Sequence, residues 1–515
     1  MKRSTTMIHA HPSQPTASRS RRRACRLPSG GATCPSRSRQ CGCARSAGAR
    51  EVHAVSEVTL SQARRVHMVG IGGAGMSALA TLLLQMGKQI SGSEVSSSST
   101  VESLRAAGAI VFSEHAAEHV GEADYVIRSS AVGADNVEIA ETARRGLPNK
   151  KLAEAVGELM SQRSGIAVAG THGKTTTTLL VAWLLDQGGM DPLALIGADT
   201  PSFPLGARLG DGPMVVEADE YDRRFLNYWP EVAIVTSVEA DHLDYYRDIT
   251  EIREVFQTLV ERLPEHGRLV VCADEPHAAA LSSPARRESY GFASDADWRI
   301  SDYVPLAGQG ALFRLHAEGR EWPVRSPLVG EHNARNVTAA IAVADHFGIG
   351  LRAALAALGT FQGPKRRFET KGRPGGVWVV DDYGHHPTEV AAVLKAASAA
   401  AEGEVWVVFQ PHTTNRTATM LDDFGRSFGQ AQHALILPIY LPSGREVDAR
   451  PVTSADVVAA IQRSGHLDAC AVASFDEAVA AVVAGSKPGD IVLTMGAGDV
   501  TLLSDRLVQA LGDRA

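Results

Sequence analysis

The chain is poor in several things, and each shortage excludes a class of protein. Only six of its 515 residues are cysteine, and four of these (Cys25, Cys34, Cys41 and Cys43) fall among the first fifty. A disulfide scaffold is therefore excluded for the remainder. Cys272 and Cys470 stand alone in apolar settings and are expected to be reduced, buried thiols, as suits a cytosolic compartment. The longest apolar runs, such as residues 78–86, fall well short of the roughly 20 residues that a membrane-spanning helix needs. No basic stripe runs through the body. The first fifty residues contain no acid and carry +11, so the chain's total of −7 leaves −18 on residues 51–515. An acidic body of this kind excludes nucleic acid as a partner. Phosphates can still bind locally, because backbone N–H groups hold them without net positive charge.

The start of the chain also lacks aromatic residues and has almost no aliphatic ones. Its C-x8-C-x6-C-x-C spacing is not that of a zinc knuckle, and it has no apolar stretch of the secretory kind. An Arg- and Ser-rich, acid-free start can be a transit peptide. The plainest expectation for residues 1–62 is a disordered extension, or translated upstream sequence with the true start near Val55 or Val58.

What is present is an ordinary globular composition, 44% apolar and 21% charged, in a chain long enough for about three domains. Strand patterns alternate with helical ones throughout the body. Residues 66–71 read as a buried strand, followed by a glycine turn and a helix over about 76–86. Further strands are expected at 165–169, 214–217 and 232–237, and near 377–381, 404–409, 433–439 and 490–494. This alternation implies an α/β protein with doubly wound parallel sheets. Seams are expected near residue 160 and near Phe361–Pro364.

The strongest motif is Gly170-Thr171-His172-Gly173-Lys174-Thr175, then Thr176, placed between an apolar strand and an apolar helix. Its logic is that of a P-loop. Glycines let backbone N–H groups wrap phosphate oxygens, a lysine neutralises the β- and γ-phosphates, and a hydroxyl ligates Mg²⁺. The loop is shorter than GxxxxGK[ST], because Val168 stands where the first glycine belongs. Carboxylates follow the next two strands, in Glu217-Ala-Asp219-Glu220 and in Glu239-Ala-Asp241-His242-Leu-Asp244. Hard oxygen ligands suit Mg²⁺, and such strand ends are where open α/β sheets bind ligands. Each cluster alone reads as a solvated strand end; three after three strands favour a site.

Gly70, Gly72, Gly73 and Gly75 form a GxGxxG between a strand and a helix, with Glu94 after the second strand. This predicts a diphosphate on a helix N-terminus, from a dinucleotide or equally from a UDP-sugar. In the last third, Lys365-Arg366-Arg367 could be a solvated charge run. Asp381-Asp382-Tyr383-Gly384-His385-His386-Pro387 puts two acids at a strand end and a helix-opening proline after them, a good place for ligand contacts. Adjacent His385 and His386 point opposite ways on an extended segment and are not expected to share a metal.

The segments HMVGIGGAGMSALA, AGTHGKTTTT, EADEYD, VTSVEADHLDYY, GEHNARNVTAA, FQGPKRRFE, DDYGHHPTE, FQPHTTNRT and LTMGAGD occur in this order from about Arg65 to about Leu511. Together they resemble the Mur ligases of peptidoglycan synthesis, most closely the branch acting on L-alanine. The resemblance implies three α/β domains: a Rossmann-like UDP-sugar domain at 63–160, a central P-loop ATPase-like domain with a parallel sheet at 161–362, and a Rossmann-like C-terminal domain at 363–515. It implies a cytoplasmic enzyme, a monomer or weak homodimer, that uses ATP and Mg²⁺ to join L-alanine to the lactoyl carboxylate of UDP-N-acetylmuramate through an acyl phosphate. Residue by residue, it implies Lys174 on the phosphates and Thr175, Glu217 and His242 at the metal. It also implies Gly170, Thr171, His172, Gly173, Thr176, Asn333, Asn336, Arg367 and Asp382 around ATP. Gly70, Gly72, Gly73, Gly75 and Glu94 would bind the UDP-sugar, and Tyr383, His385 and Arg416 the amino acid. Lys174, Glu217, His242, Arg367 and His385 form the implied catalytic set.

Two departures stand out. Many members read His-Arg-Tyr-Ser-Arg where this chain has His412-Thr413-Thr414-Asn415-Arg416, which leaves Arg416 as the main candidate for the amino acid's carboxylate. Some related ligases hold a second metal with a carbamylated lysine, yet no lysine occurs between Lys174 and Lys365; the alanine branch does not depend on one. The recycling branch, which attaches a preformed tripeptide, usually carries Gly-Ile-Cys-Gly-Thr in its nucleotide loop and lacks FQPH. An oxidoreductase read from GxGxxG alone leaves the P-loop without a purpose. A sugar-nucleotide sensor that only binds has no need of Lys174, Glu217 and His242.

Overall fold

The computed structural model describes residues 58–200, 202–243, 245–306, 309–441, 452–465 and 468–514. The extension expected at 1–62 lies outside them through residue 57, as does Asp244. Residues 58–62 belong to the packed body, which therefore begins before residue 63. Leu60 is fully buried, and its N–H is bonded to Glu158 Oε1.

Three sheets follow one another along the chain. The first contains β1 (Arg65–Val69), β2 (Gln89–Ser93), β3 (Ile110–Phe112), β4 (Tyr125–Arg128) and β5 (Asn149–Lys151), all parallel, in the order β3-β2-β1-β4-β5. The order reverses at β1, so the glycine turn after β1 opens at the switch point, where such sheets bind ligands.

The central sheet contains β6 (Gly165–Ala169), β7 (Leu193–Leu195), β8 (Ala207–Arg208), β9 (Met214–Ala218) and β10 (Val232–Val235). It continues with β11 (Arg268–Cys272), β12 (Arg286–Gly291), β13 (Trp298–Leu306), β14 (Gly310–Ala317) and β15 (Arg320–Ser326). The order is β15-β14-β13-β12-β11-β10-β6-β9-β7-β8. From β7 to β13 the neighbours are parallel, and β6 lies between β9 and β10. Both edges are antiparallel, with β8 on β7 and a β13-β14-β15 meander on the other side. The sheet is thus mixed where a wholly parallel one was expected. The reason is visible in β14, whose burial alternates along Gly310–Ala317, the period-two pattern of a strand with one wet face. Strand β6 is instead buried at every residue, as a strand covered by helices on both faces must be.

The third sheet contains β16 (Glu369–Gly372), β17 (Trp378–Asp382), β18 (Val405–Phe409), β19 (His433–Ile436), β20 (Ala469–Ala471) and β21 (Ile491–Met495). Its order is β16-β17-β21-β18-β19-β20, parallel except for β16 on β17. Cys272 is buried in β11 as expected, but Cys470 is exposed. It lies on the short edge strand β20, where only Ala469 is covered.

One hydrophobic cluster runs from the first sheet onto one face of the central sheet, through Met68, Leu79, Ile127, Val216 and Phe256. The other face packs Val168 and Ile234 on Leu180, Val337 and Ile341. These last three come from the helices Lys174–Gln187 and Glu331–His346, whose first turns carry the Gly-Lys-Thr and Asn-Ala-Arg-Asn motifs. No described helix is long and apolar enough to cross a membrane.

Candidate active site

The loop after β6 turns sharply at Gly170 (φ +137°) and Gly173 (φ +80°), and the helix Lys174–Gln187 begins directly behind it. Gly170 and Thr171 anchor the loop to the end of β10 rather than lining a cavity. The Thr171 N–H donates to the Ser237 carbonyl oxygen (3.0 Å), and Thr171 Oγ1 accepts the Glu239 N–H (2.9 Å). His172 donates its N–H to Ser237 Oγ (3.0 Å). Lys174 Nζ donates to the carbonyl oxygens of Gly170 (2.6 Å) and Thr171 (3.2 Å) and to Glu220 Oε2 (2.9 Å). Burial opposes the ammonium charge, but Glu220 and Asp219 outweigh it and hold Lys174 above its usual range.

The expected metal residues fall into two neighbouring groups. Thr175 Oγ1 donates to both oxygens of Glu217 (2.9 and 3.1 Å), and the Gly197 N–H also donates to Glu217 (2.9 Å). His242 instead joins Asp219 and Glu220, with ligand atoms all within 4.8 Å of one another. A positive φ of 54° aims His242 there. Its carbonyl oxygen accepts the N–H groups of Tyr245 and Tyr246, and the Tyr246 hydroxyl donates to the Glu220 carbonyl oxygen. Glu220 belongs to the carboxylate cluster read from the sequence, but the family resemblance assigns it no role. It touches both Lys174 and the metal group.

A cavity of about 250 Å³ opens between the phosphate loop and the third sheet. His172, Gly173, Thr176, Asn333, Asn336, Arg367 and Asp382 all line it. Asn336 Nδ2 donates to Asn333 Oδ1 (3.1 Å), and Asn333 Nδ2 to the Val329 carbonyl oxygen (2.8 Å). Asp382, at the end of β17, accepts the N–H groups of Phe368 and Gly384 (both 2.7 Å). Burial outweighs Arg367 and those two N–H groups and raises its carboxyl to about 6.

Beyond the cavity, the guanidinium carbons of Arg366 and Arg367 lie 4.9 and 5.0 Å from the Tyr383 ring centre. The Tyr383 ring meets His385 edge-on at 5.4 Å. His385 Nδ1 lies 3.1 Å from the Tyr383 carbonyl oxygen, and burial lowers the imidazole to about 3. His385 is therefore neutral at physiological pH, with Nδ1–H donating and Nε2 presenting a lone pair. Arg416 already holds a carboxylate, because its Nη2 lies 3.1 Å from Asp241 Oδ1 of the central domain.

The glycine turn of the first sheet is partly occupied by its own chain. Gly70 and Ile71 donate to the Ser93 carbonyl oxygen, and Gly72 donates to Glu94 Oε2 (3.1 Å). Glu94 thus closes over the turn. Gly73 and Gly75 sit at the start of the helix Ala74–Gln85, whose N-terminus suits an anion.

Three further residues join the two sides of the cavity: Glu239, His386 and Glu389. His172 Nε2 lies 3.6 Å from Glu239, its Nδ1 lies 3.3 Å from Glu389, and its ring stands 4.7 Å from that of His386. The sequence holds one signal for Glu389, the three-residue capping-box spacing from His386 across a helix start. Burial disfavours the His172 charge, but Glu239 and Glu389 raise it overall to about 10. This is above the imidazole's ordinary 6.5, so the ion pairs stabilise the fold fully below about pH 6.5 and lose that effect as pH rises towards 10. The expected result is that the melting-temperature gap between wild type and His172→Gln narrows from pH 6.5 to 10. Thermal unfolding of both proteins across that window checks it, and a constant gap would disprove it.

Comparisons with known proteins agree with this geometry. The Mur ligase family, catalytic domain, matches residues 65–164; the Mur ligase middle domain matches 168–344; and the Mur ligase, glutamate ligase domain, matches 366–498. The UDP-N-acetylmuramate–L-alanine ligase of Thermobifida fusca is 42% identical over 478 residues, covering 90% of this chain and 99% of that protein. The protein of the same name from Geobacter sp. (strain M21) is 41% identical, covering 87% and 97%. Among solved structures, the UDP-N-acetylmuramate-alanine ligase MurC of Thermotoga maritima aligns with a TM-score of 0.73 at 26% identity, over 88% of this chain and all of that one. A murein peptide ligase from Psychrobacter arcticus aligns with a TM-score of 0.63 at 28% identity, over 87% and 99%. The chain belongs to the Mur ligase family.

Proposed function

We propose that this protein joins L-alanine to the lactoyl carboxylate of UDP-N-acetylmuramate at the expense of ATP, in peptidoglycan synthesis. A carboxylate is a poor electrophile. Transfer of the γ-phosphoryl group to its oxygen makes an acyl phosphate and releases ADP. The alanine nitrogen then attacks the acyl carbon, and phosphate leaves with the former carboxylate oxygen. The observation that carries this reading is the cavity itself, whose lining sets His172, Gly173 and Thr176 of the phosphate loop opposite Arg367, Asp382 and Glu389.

Lys174 and the loop N–H groups hold the phosphates in place, and charge spreading over the transferred group is met by Lys174 and Arg367. His385, kept neutral, accepts a hydrogen bond from the alanine nitrogen through Nε2. The alanine carboxylate replaces Asp241 on Arg416. The chemistry of the donor set fits Mg²⁺: Thr175 and Glu217 offer hard oxygens, and Asp219, Glu220 and His242 offer ligand atoms close enough to share an ion. When bound, Mg²⁺ supplies neutralisation of charge on the phosphoryl oxygens. A cytoplasmic location, where ATP is supplied, is part of this proposal.

The purified protein should release phosphate from ATP only when UDP-N-acetylmuramate, Mg²⁺ and L-alanine are all present. Equal turnover with a tripeptide and none with alanine would assign the recycling reaction instead. Reduction of a nicotinamide would overturn the ligase reading altogether.

A further inference from the structure

The helix Pro387–Ala400 starts at the cavity, and its first turn carries Glu389, with a side chain only 14% exposed. Its two oxygens have different partners. Oε2 accepts the backbone N–H groups of His385 (3.0 Å) and His386 (3.2 Å), which caps the helix. Oε1 faces His172 Nδ1 on the phosphate loop at 3.3 Å and Nη1 of Arg367 at 3.8 Å. His385 Nδ1 lies 3.6 Å from Oε2. One carboxylate therefore touches a residue of the phosphate loop, the arginine assigned to ATP and the histidine assigned to alanine. A helix cap alone needs backbone N–H groups and no cation. Next to it, the Thr388 hydroxyl donates to Glu239 Oε2 (2.7 Å), and Glu239 faces the other nitrogen of His172. The same helical turn thus reaches His172 of the phosphate loop directly through Glu389 and indirectly through Thr388 and Glu239.

We propose that Glu389 is a positioning residue that fixes His172, Arg367 and His385 in one arrangement, so that the ATP and alanine subsites are set together. The proposal rests on the ligase reading above. A carboxylate buried this far is tolerated because cations and N–H donors surround it, and removing its charge leaves those partners without a common anchor. The UDP-sugar turn at Gly70–Gly75 has no part in this arrangement, which gives the test its contrast.

Glu389→Gln keeps an amide oxygen for the two N–H groups and removes the charge. Its melting temperature should fall, because the His172 ion pair is broken from one side, while its KM for UDP-N-acetylmuramate should be unchanged within about twofold. Its kcat/KM for ATP and for L-alanine should both fall at least about tenfold, and His172→Gln should do the same for ATP. The double variant should be no worse than the poorer single one, because both substitutions break one arrangement. Losses that multiply, an unchanged kcat/KM for both substrates, or an equal rise in the UDP-sugar KM would each overturn the assignment. If the wild type shows no ligase turnover, the ligase reading fails separately. The same four proteins are then compared by titration calorimetry with ADP, where shared losses support Glu389 as the positioning residue and independent losses, or none, overturn it.

Discussion

Lys174→Met lowers kcat by at least about a thousandfold, the scale on which a single charge-stabilising group acts in a dry site. The ammonium sits at the base of the phosphate loop, bonded to two loop carbonyl oxygens and to Glu220. No lysine occurs between Lys174 and Lys365, so no neighbouring ammonium on the central domain can take over. The substitution has a second consequence, because Glu220 is 3% exposed and loses its cation. Breaking a buried pair from one side costs about 3–5 kcal/mol, so the variant also melts earlier. Lys174→Met combined with Glu220→Gln separates the two effects: stability recovers and turnover does not. Phosphate release and thermal unfolding on all three proteins read this directly. Near-normal turnover of the single variant would remove Lys174 from the site.

Gly170→Ala sharply lowers nucleotide-dependent activity for a steric reason. At φ +137° a side chain is strained. The added Cβ collides with Thr236 Oγ1 and lies 2.9 Å from the Ser237 nitrogen. Thr236 cannot retreat, since its hydroxyl is bonded to the carbonyl oxygens of Ala169 and His172. The cost is about 3 kcal/mol or more, through combined backbone strain and overpacking, and kcat/KM for ATP falls at least about a hundredfold as the loop is displaced. Gly87→Ala is the matching control. Its φ is +79°, yet nothing lies within 4 Å of the added carbon. It should cost about 1 kcal/mol and leave kcat/KM unchanged. Equal activity losses in the two variants would contradict the steric argument.

The phosphate loop was legible because its determinants are local. An apolar strand, two glycines and a lysine at a helix start specify the turn within ten residues, and the observed β6, turn and helix follow that pattern. The glycine turn after β1 was legible for the same reason, but the closing of Glu94 over Gly72 was not. The pairs across the cavity carry almost no local signal. Glu389 and His172 are 217 positions apart, and Arg416 and Asp241 are 175 apart. The antiparallel meander did have a signal, the alternation along Gly310–Ala317, which a uniform βα reading passes over. Cys470 looked apolar from its neighbours, yet an edge strand leaves it exposed.

By itself, then, the amino-acid order determined the three α/β segments, the two glycine turns and the family chemistry they resemble, because strand burial, turn conformation and helix starts are governed by residues a few positions apart. Only the tertiary structure decided how the charges are shared: Lys174 with Glu220, His242 with Asp219 and Glu220, Arg416 with Asp241, and His172 with Glu239 and Glu389. Each of these depends on which strand ends and helix starts the packed sheets bring within about 4 Å, the range over which a partly buried pair interacts strongly, and no local periodicity encodes that distance.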